Sequence, residues 1–388
     1  MAGSSRAATS WAVVALLGAA AALRPGCATE PGESFDAGPM LANLAEGVIL
    51  PTLEDALVEA SAFEQSLATW DGAPDAEVEA GWRAAAAAWQ RAEVMQVGPA
   101  ASSLDAVGGE DRRIGLYSWP VVNPCRVDQE LVERGWGEDG FFDTNPENVR
   151  GLDALEYLVF HPEGNACAGQ HAINDQGTWD ALSPAELDAR RADYGRAVAG
   201  RYVDDLEALV ERWRPQGGDF AGQLGAPGSE GSAYDGEHEA VSAVFDALFY
   251  LELVSKDLKL AEPLGLGTCS GPCPDAVESR WADASLDHLL ENVRGVRLLF
   301  AGGDGPGLDD LLVSLGEDAL AQAVLDALDG AEATILAAPS PLSSLVVDDP
   351  DAATAVHAAV KQVTDLLKND LAATLVLELP GEAAGDND

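Results

Sequence analysis

Positive charge is what this 388-residue chain has least of: 22 lysines and arginines stand against 66 aspartates and glutamates, a formal net charge of −44. Nucleic acid and anionic lipid faces recruit basic patches, so both are disfavoured as partners of the folded body. Aromatic residues are also scarce, at 6%. The zinc-protease signature H-E-x-x-H is missing, because the only H-E pair, at His238, has Ser242 where the second histidine would fall. No G-x-x-x-x-G-K loop and no local Ser-His-Asp signature occurs either. Beyond the first 26 residues, no stretch is long and apolar enough to span a bilayer.

What is abundant is alanine, leucine, glutamate and aspartate recurring at helical spacing, which favours an all-α fold. The length suits one large or two modest domains. Residues 1–26 carry Arg6 and Arg24, no acid, and the apolar run Trp11–Leu23, the make-up of a secretory signal. Leu23-Arg24-Pro25-Gly26-Cys27 then resembles a bacterial lipoprotein cleavage site. A lipidated Cys27 followed by a polar tether over residues 27–38 would hold the protein to a membrane. This places it in the bacterial envelope, facing the periplasm and anchored to the outer membrane. Four further cysteines remain, Cys125, Cys167, Cys269 and Cys273, and an even number in an exported chain reads as two disulfides. Proximity pairs Cys125 with Cys167 and Cys269 with Cys273.

Periodicity and breakers divide the rest of the chain. Helices are expected over Met40–Leu67, with a kink at Pro51, over Ala76–Val97, Arg126–Arg134 and Val149–Phe160. Ser183-Pro184 and Glu186 open a long helix to about Arg214. Pro215–Asp235, rich in Gly, Ser and Pro, reads as a mobile insertion. Glu237–Leu260 is a strongly apolar helix whose Lys256 and Lys259 suit a C-terminus, and four more helices follow up to Leu377. Two helical bundles joined through irregular loops result, over residues 39–167 and 183–379, with a disordered tail at 380–388.

One helix stands out chemically. Val149–Phe160 is apolar on nearly every side yet carries Asp153 and Glu156, three residues apart on one face. Buried carboxylates must be paired, protonated or bound to a cation. Two on adjacent turns repel unless a proton or metal is shared. On Ala76–Val97 the stripe Trp82, Ala86, Trp89, Glu93, Val97 makes Glu93 a third inward acid. Such oxygen donors suit a hard cation such as iron, manganese, magnesium or calcium. The competing reading is structural: Asp153 or Glu156 pairs with Arg150, Arg91 or a helix-end donor and orients the packing. An H-x-x-E spacing, His288 to Glu291, reads as a surface histidine and glutamate beside Asp287, and Trp119, Trp136 and Trp179 read as loop residues open to ligand contact.

The segment G-L-D-A-L-E-Y-L-V-F resembles the G-x-H-x-x-E segment of the imelysin-like proteins, with Gly151 and Glu156 in place and Asp153 where the histidine stands. W-Q-R-A-E at Trp89–Glu93, Gly98-Pro99, and Y-S-W-P-V-V-N-P-C-R-V-D-Q at Tyr117–Gln129 are similar to that family as well. The resemblance implies a helical envelope protein linked to iron uptake, which makes iron the first choice of cation at Glu93, Asp153 and Glu156. It also offers a metallopeptidase as an alternative, against which the lost histidine argues. A third reading is a metal-free binding or scaffold lipoprotein.

Overall fold

The computed structural model describes residues 36–145, 147–160, 164–380 and 383. The expected leader, the Cys27 anchor, most of the tether and most of the tail lie outside them. Every regular element among the described residues is helical, as the spacing of apolar residues requires. None of these helices is long and apolar enough to cross a membrane.

A first group of helices, Leu50–Ser66, Ala76–Glu93, Leu152–Phe160 and Pro184–Trp213, packs around Trp82, Trp89 and Phe63, all buried. The second comprises a π-helix at Leu251–Ala261 and the helices Ser285–Ala301, Asp318–Leu336 and Pro350–Asp365. Local signals set several boundaries. Asp75 caps Ala76–Glu93 by accepting the Glu77 N–H at 2.8 Å, and Ser183 and Glu186 form the reciprocal capping box that the sequence announces. Pro51 can donate no backbone hydrogen bond, and the expected first helix widens into a π-turn at Leu44–Ile49 just before it.

Ser285–Ala301 lies directly on Ala76–Glu93, so the two groups share a seam. Gly295 permits that approach: a Cβ there would stand 2.3 Å from the Arg91 carbonyl oxygen and 2.6 Å from a Val94 methyl. Gly295→Ala should therefore destabilise the protein by about 1–3 kcal/mol, against the usual helix preference for alanine. A fall in the urea midpoint with an unchanged m-value is the expected signature; an unchanged or raised midpoint would show that the seam yields freely.

Three expectations change. The acidic helix begins at Leu152 rather than Val149, because Gly151 is left-handed (φ +86°) and a Cβ there would meet the Leu116 carbonyl oxygen at 2.8 Å. Pro215–Asp235 is built into the core instead of forming a free insertion. Phe220 and Tyr234 are buried, and the Phe220 ring centroid lies 5.1 Å from that of Trp213. Glu237–Leu260 divides into a helix at Glu237–Leu248 and the following π-helix, which turns Lys256 and Lys259 fully inward rather than leaving them at a helix end. Both expected disulfides are present, Cys125–Cys167 and Cys269–Cys273. The first ties the helix Pro124–Glu133 to the segment after the acidic helix. Of the three loop tryptophans, Trp179 is buried and Trp136 stacks on Tyr194 at 4.7 Å, while Trp119, largely buried, also walls a cavity.

Candidate functional site

The left-handed Gly151 sets Asp153 in the first turn of its helix, next to the irregular segment around Ser118. The Asp153 carboxylate is 2% exposed. Its Oδ1 accepts the Ala154 N–H at 3.1 Å and the Ser118 N–H at 3.3 Å, while the Ser118 hydroxyl sits 3.0 and 2.9 Å from the two oxygens. Burial nevertheless dominates these hydrogen bonds and pushes the carboxyl up to about 7.

One turn on, Glu156 is equally buried, and its Oε1 accepts the N–H groups of Trp281 at 3.0 Å and Ala282 at 2.9 Å. Burial raises it to about 8; the backbone donors and Ser279 oppose the rise, and neighbouring Asp153 adds to it. No lysine or arginine is ion-paired with either acid among the described residues. Arg150 turns to Glu147 and the Phe142 carbonyl, and Arg91 to Glu291. Of the structural readings only the backbone donors survive, and two N–H groups do not neutralise a charge. Both acids line a cavity of about 350 Å³ walled by Trp119, Pro120, Leu258 and Trp281.

Glu93 stands apart from this pair. It is fully buried, but its Oε1 is held by Arg113 Nε at 2.7 Å, and its Oε2 finds no hydrogen-bond partner. Glu93, Asp153 and Glu156 therefore do not form a three-ligand set: among the described residues, the only three potential ligands within 4.8 Å of one another are Cys125, Cys167 and His171. The two sulfurs there are spent in a disulfide and offer no thiolate. Periodicity correctly turns Glu93 inward, but the seat it enters already contains a guanidinium from another segment.

Behind the acid pair lies a second polar cluster that the sequence reading missed. Glu278, with no exposed surface, accepts from the Tyr117 hydroxyl at 2.7 Å and from Lys259 Nζ at 2.9 Å, and His288 Nδ1 lies 3.4 Å from its other oxygen. Burial alone would raise this carboxyl, but Lys259 and His288 hold it down to about 2. Lys259 also donates to Gln90 and Asn292. Ser279 links the two clusters: its hydroxyl is 3.3 Å from His288 Nδ1, and it hydrogen bonds to Glu156. Tyr117 sits at the centre, its hydroxyl raised by burial and then by Glu278, Asp153, Glu93 and Glu156 in turn. The pattern around His288, flanked by Leu286, Leu289 and Leu290, could have signalled burial rather than the surface position first assigned. Two lysines in an apolar helix were a similar cue. Nothing in the sequence marks Glu278, and Ser118 is marked only as part of the Tyr117–Gln129 segment.

At the seam between the helical groups the chain thus carries two charge-compensated acids, Glu93 and Glu278, and two uncompensated ones, Asp153 and Glu156, facing a cavity. A comparison with curated proteins finds no match. Among solved structures, the fold is similar to an imelysin-like protein from Psychrobacter arcticum 273-4, with 18% identity over 87% of this chain and 95% of that one and a TM-score of 0.65. It is similar too to a protein from Parabacteroides distasonis ATCC 8503 provisionally named an iron-regulated protein A precursor, with 17% identity, 87% and 93% coverage and a TM-score of 0.65. The imelysin pattern itself matches residues 49–369, and with the helical seam and its acid-bearing G-x-D-x-x-E turn in view, this chain belongs to the imelysin family.

Proposed function

We propose that this protein binds a hard metal cation, iron first, through Asp153 and Glu156, and that it serves metal uptake or handling as an exported lipoprotein anchored through Cys27. The observation that carries the reading is that, among the described residues, no ion-paired base meets two buried, adjacent carboxylates that open onto a cavity. The donor chemistry fits. Two carboxylates supply hard oxygen ligands, Ser118 and the 281–282 backbone N–H groups orient them, and a cation would supply the charge that burial makes costly to lack. The name of the Parabacteroides protein points toward iron as the cation to try first.

Calorimetric titration of the purified protein with ferrous iron under anaerobic conditions, ferric citrate, manganese and calcium tests this. One saturable site is expected for iron. Asp153→Asn with Glu156→Gln should weaken it by about 100-fold or more, whereas Glu93→Gln should leave it within a few-fold. Absence of saturable binding, or binding unaffected by the double substitution, rejects the reading and favours a metal-free scaffold.

A further inference from the structure

A larger cavity, about 670 Å³, lies away from the acid pair, between the segment 96–107 and the junction of the Glu237–Leu248 helix with the π-helix. Its size falls within the range of about 300–1,000 Å³ common for small-ligand sites. Val107, Phe249, Leu253 and Val254 make its walls largely apolar. The charged lining is one-sided: Asp105, Glu239 and Asp246 against Arg113.

These groups are not equally free. Arg113 is already committed to Glu93, Asp105 accepts from the Ser102 hydroxyl at 2.9 Å, and Glu239 accepts the Asp235 N–H at 2.6 Å. Asp246 has no such commitment; the only influence on its carboxyl is the crowding of its neighbours. Tyr250, 6% exposed, also lines the cavity, but its hydroxyl is fully buried and faces Glu93 and Arg113 rather than the cavity. The cavity therefore combines an apolar wall with one carboxylate that no hydrogen bond or ion pair holds among the described residues, and no spare positive charge.

We propose that this cavity is a second binding site, for a small organic cation: an alkyl or aryl ammonium whose body fills the apolar wall and whose charged end meets Asp246. The site is independent of the proposed metal site, since none of its lining residues borders Asp153 or Glu156. An anionic or neutral amphiphile of the same shape lacks the group that the unpaired carboxylate requires, so charge sets the selectivity.

The test titrates the full protein, at physiological ionic strength, with hexylamine and phenethylamine, and with hexanol and hexanoate as isosteric neutral and anionic probes. Saturable one-to-one binding of the amines is expected, at least about tenfold tighter than either isostere. Asp246→Asn, a change at an exposed carboxylate with no hydrogen bond or ion pair among the described residues, should remove about tenfold of amine affinity. Asp153→Asn with Glu156→Gln should leave amine binding unchanged, so failure here and failure of the metal reading are separable. Failure of both amines to bind overturns the proposal, as does equal binding of hexanol or amine affinity untouched by Asp246→Asn.

Discussion

Glu278→Ala should lower the free energy of unfolding by about 3–5 kcal/mol, the largest effect expected of any single substitution at the seam. The carboxylate has no exposed surface, and its removal leaves the equally buried Lys259 ammonium without its counter-charge. It also frees the Tyr117 hydroxyl and one face of His288. The cost is that of stranding a charge, not the net worth of the pair, and a double variant separates the two. Lys259→Met combined with Glu278→Leu should recover much of the loss, because an apolar pair of similar volume replaces both ions. Urea unfolding of the two single variants and the double one measures this. Additive losses would show that the pair is not coupled and that the seam admits water.

The same carboxyl fixes a direction for acid. Its folded value of about 2 lies below the ordinary glutamate value of about 4.3. Its contribution is therefore complete above the unfolded value and is lost as pH falls through about 2. Acid unfolding of the wild type should begin at lower pH than that of a Glu278→Gln variant.

Without a bound cation, the protein should lose stability from pH 5 to pH 9, by an amount on the order of 5 kcal/mol. The sign follows from Asp153 and Glu156, whose folded values are raised to about 7 and about 8. Between the unfolded carboxylate values and these, the native state holds protons that the unfolded chain has released. The stabilisation is thus full below about pH 4 and disappears as pH rises through 7 and then 8. Asp153→Asn with Glu156→Gln, neutral at every pH, should flatten the slope and make the protein more stable than the wild type at pH 9. A saturating cation that binds the ionised pair should flatten it as well, by stabilising the native state where the protons are lost. A level stability profile in the wild type, or an identical slope in the double variant, would show that these two acids are not the source. The large excess of other acids makes that control necessary, since general repulsion also grows with pH.

Much of the architecture is local and so was readable without coordinates. Helical periodicity, the Ser183 capping box, the buried tryptophans of Ala76–Glu93 and the presence of acids in an apolar helix all depend on residues a few positions apart. The disulfide pairing followed from proximity in the chain for the same reason. The site was legible only in part. Asp153 and Glu156 were recognisable because an apolar helix has no place to hide an acid.

Their surroundings were decided elsewhere. Arg113 takes Glu93 from 20 residues away, Trp281 and Ala282 reach Glu156 from 125 and 126 residues away, and Tyr117 meets Glu278 across 161. Periodicity reports that a side chain points inward, because that depends only on the turn of its own helix. Whom it meets there depends on how helices distant in sequence are stacked, and on approaches such as that at Gly295, so acids with the same inward pattern end in an ion pair at Glu93 and as proton-retaining carboxyls without a basic partner at Asp153 and Glu156.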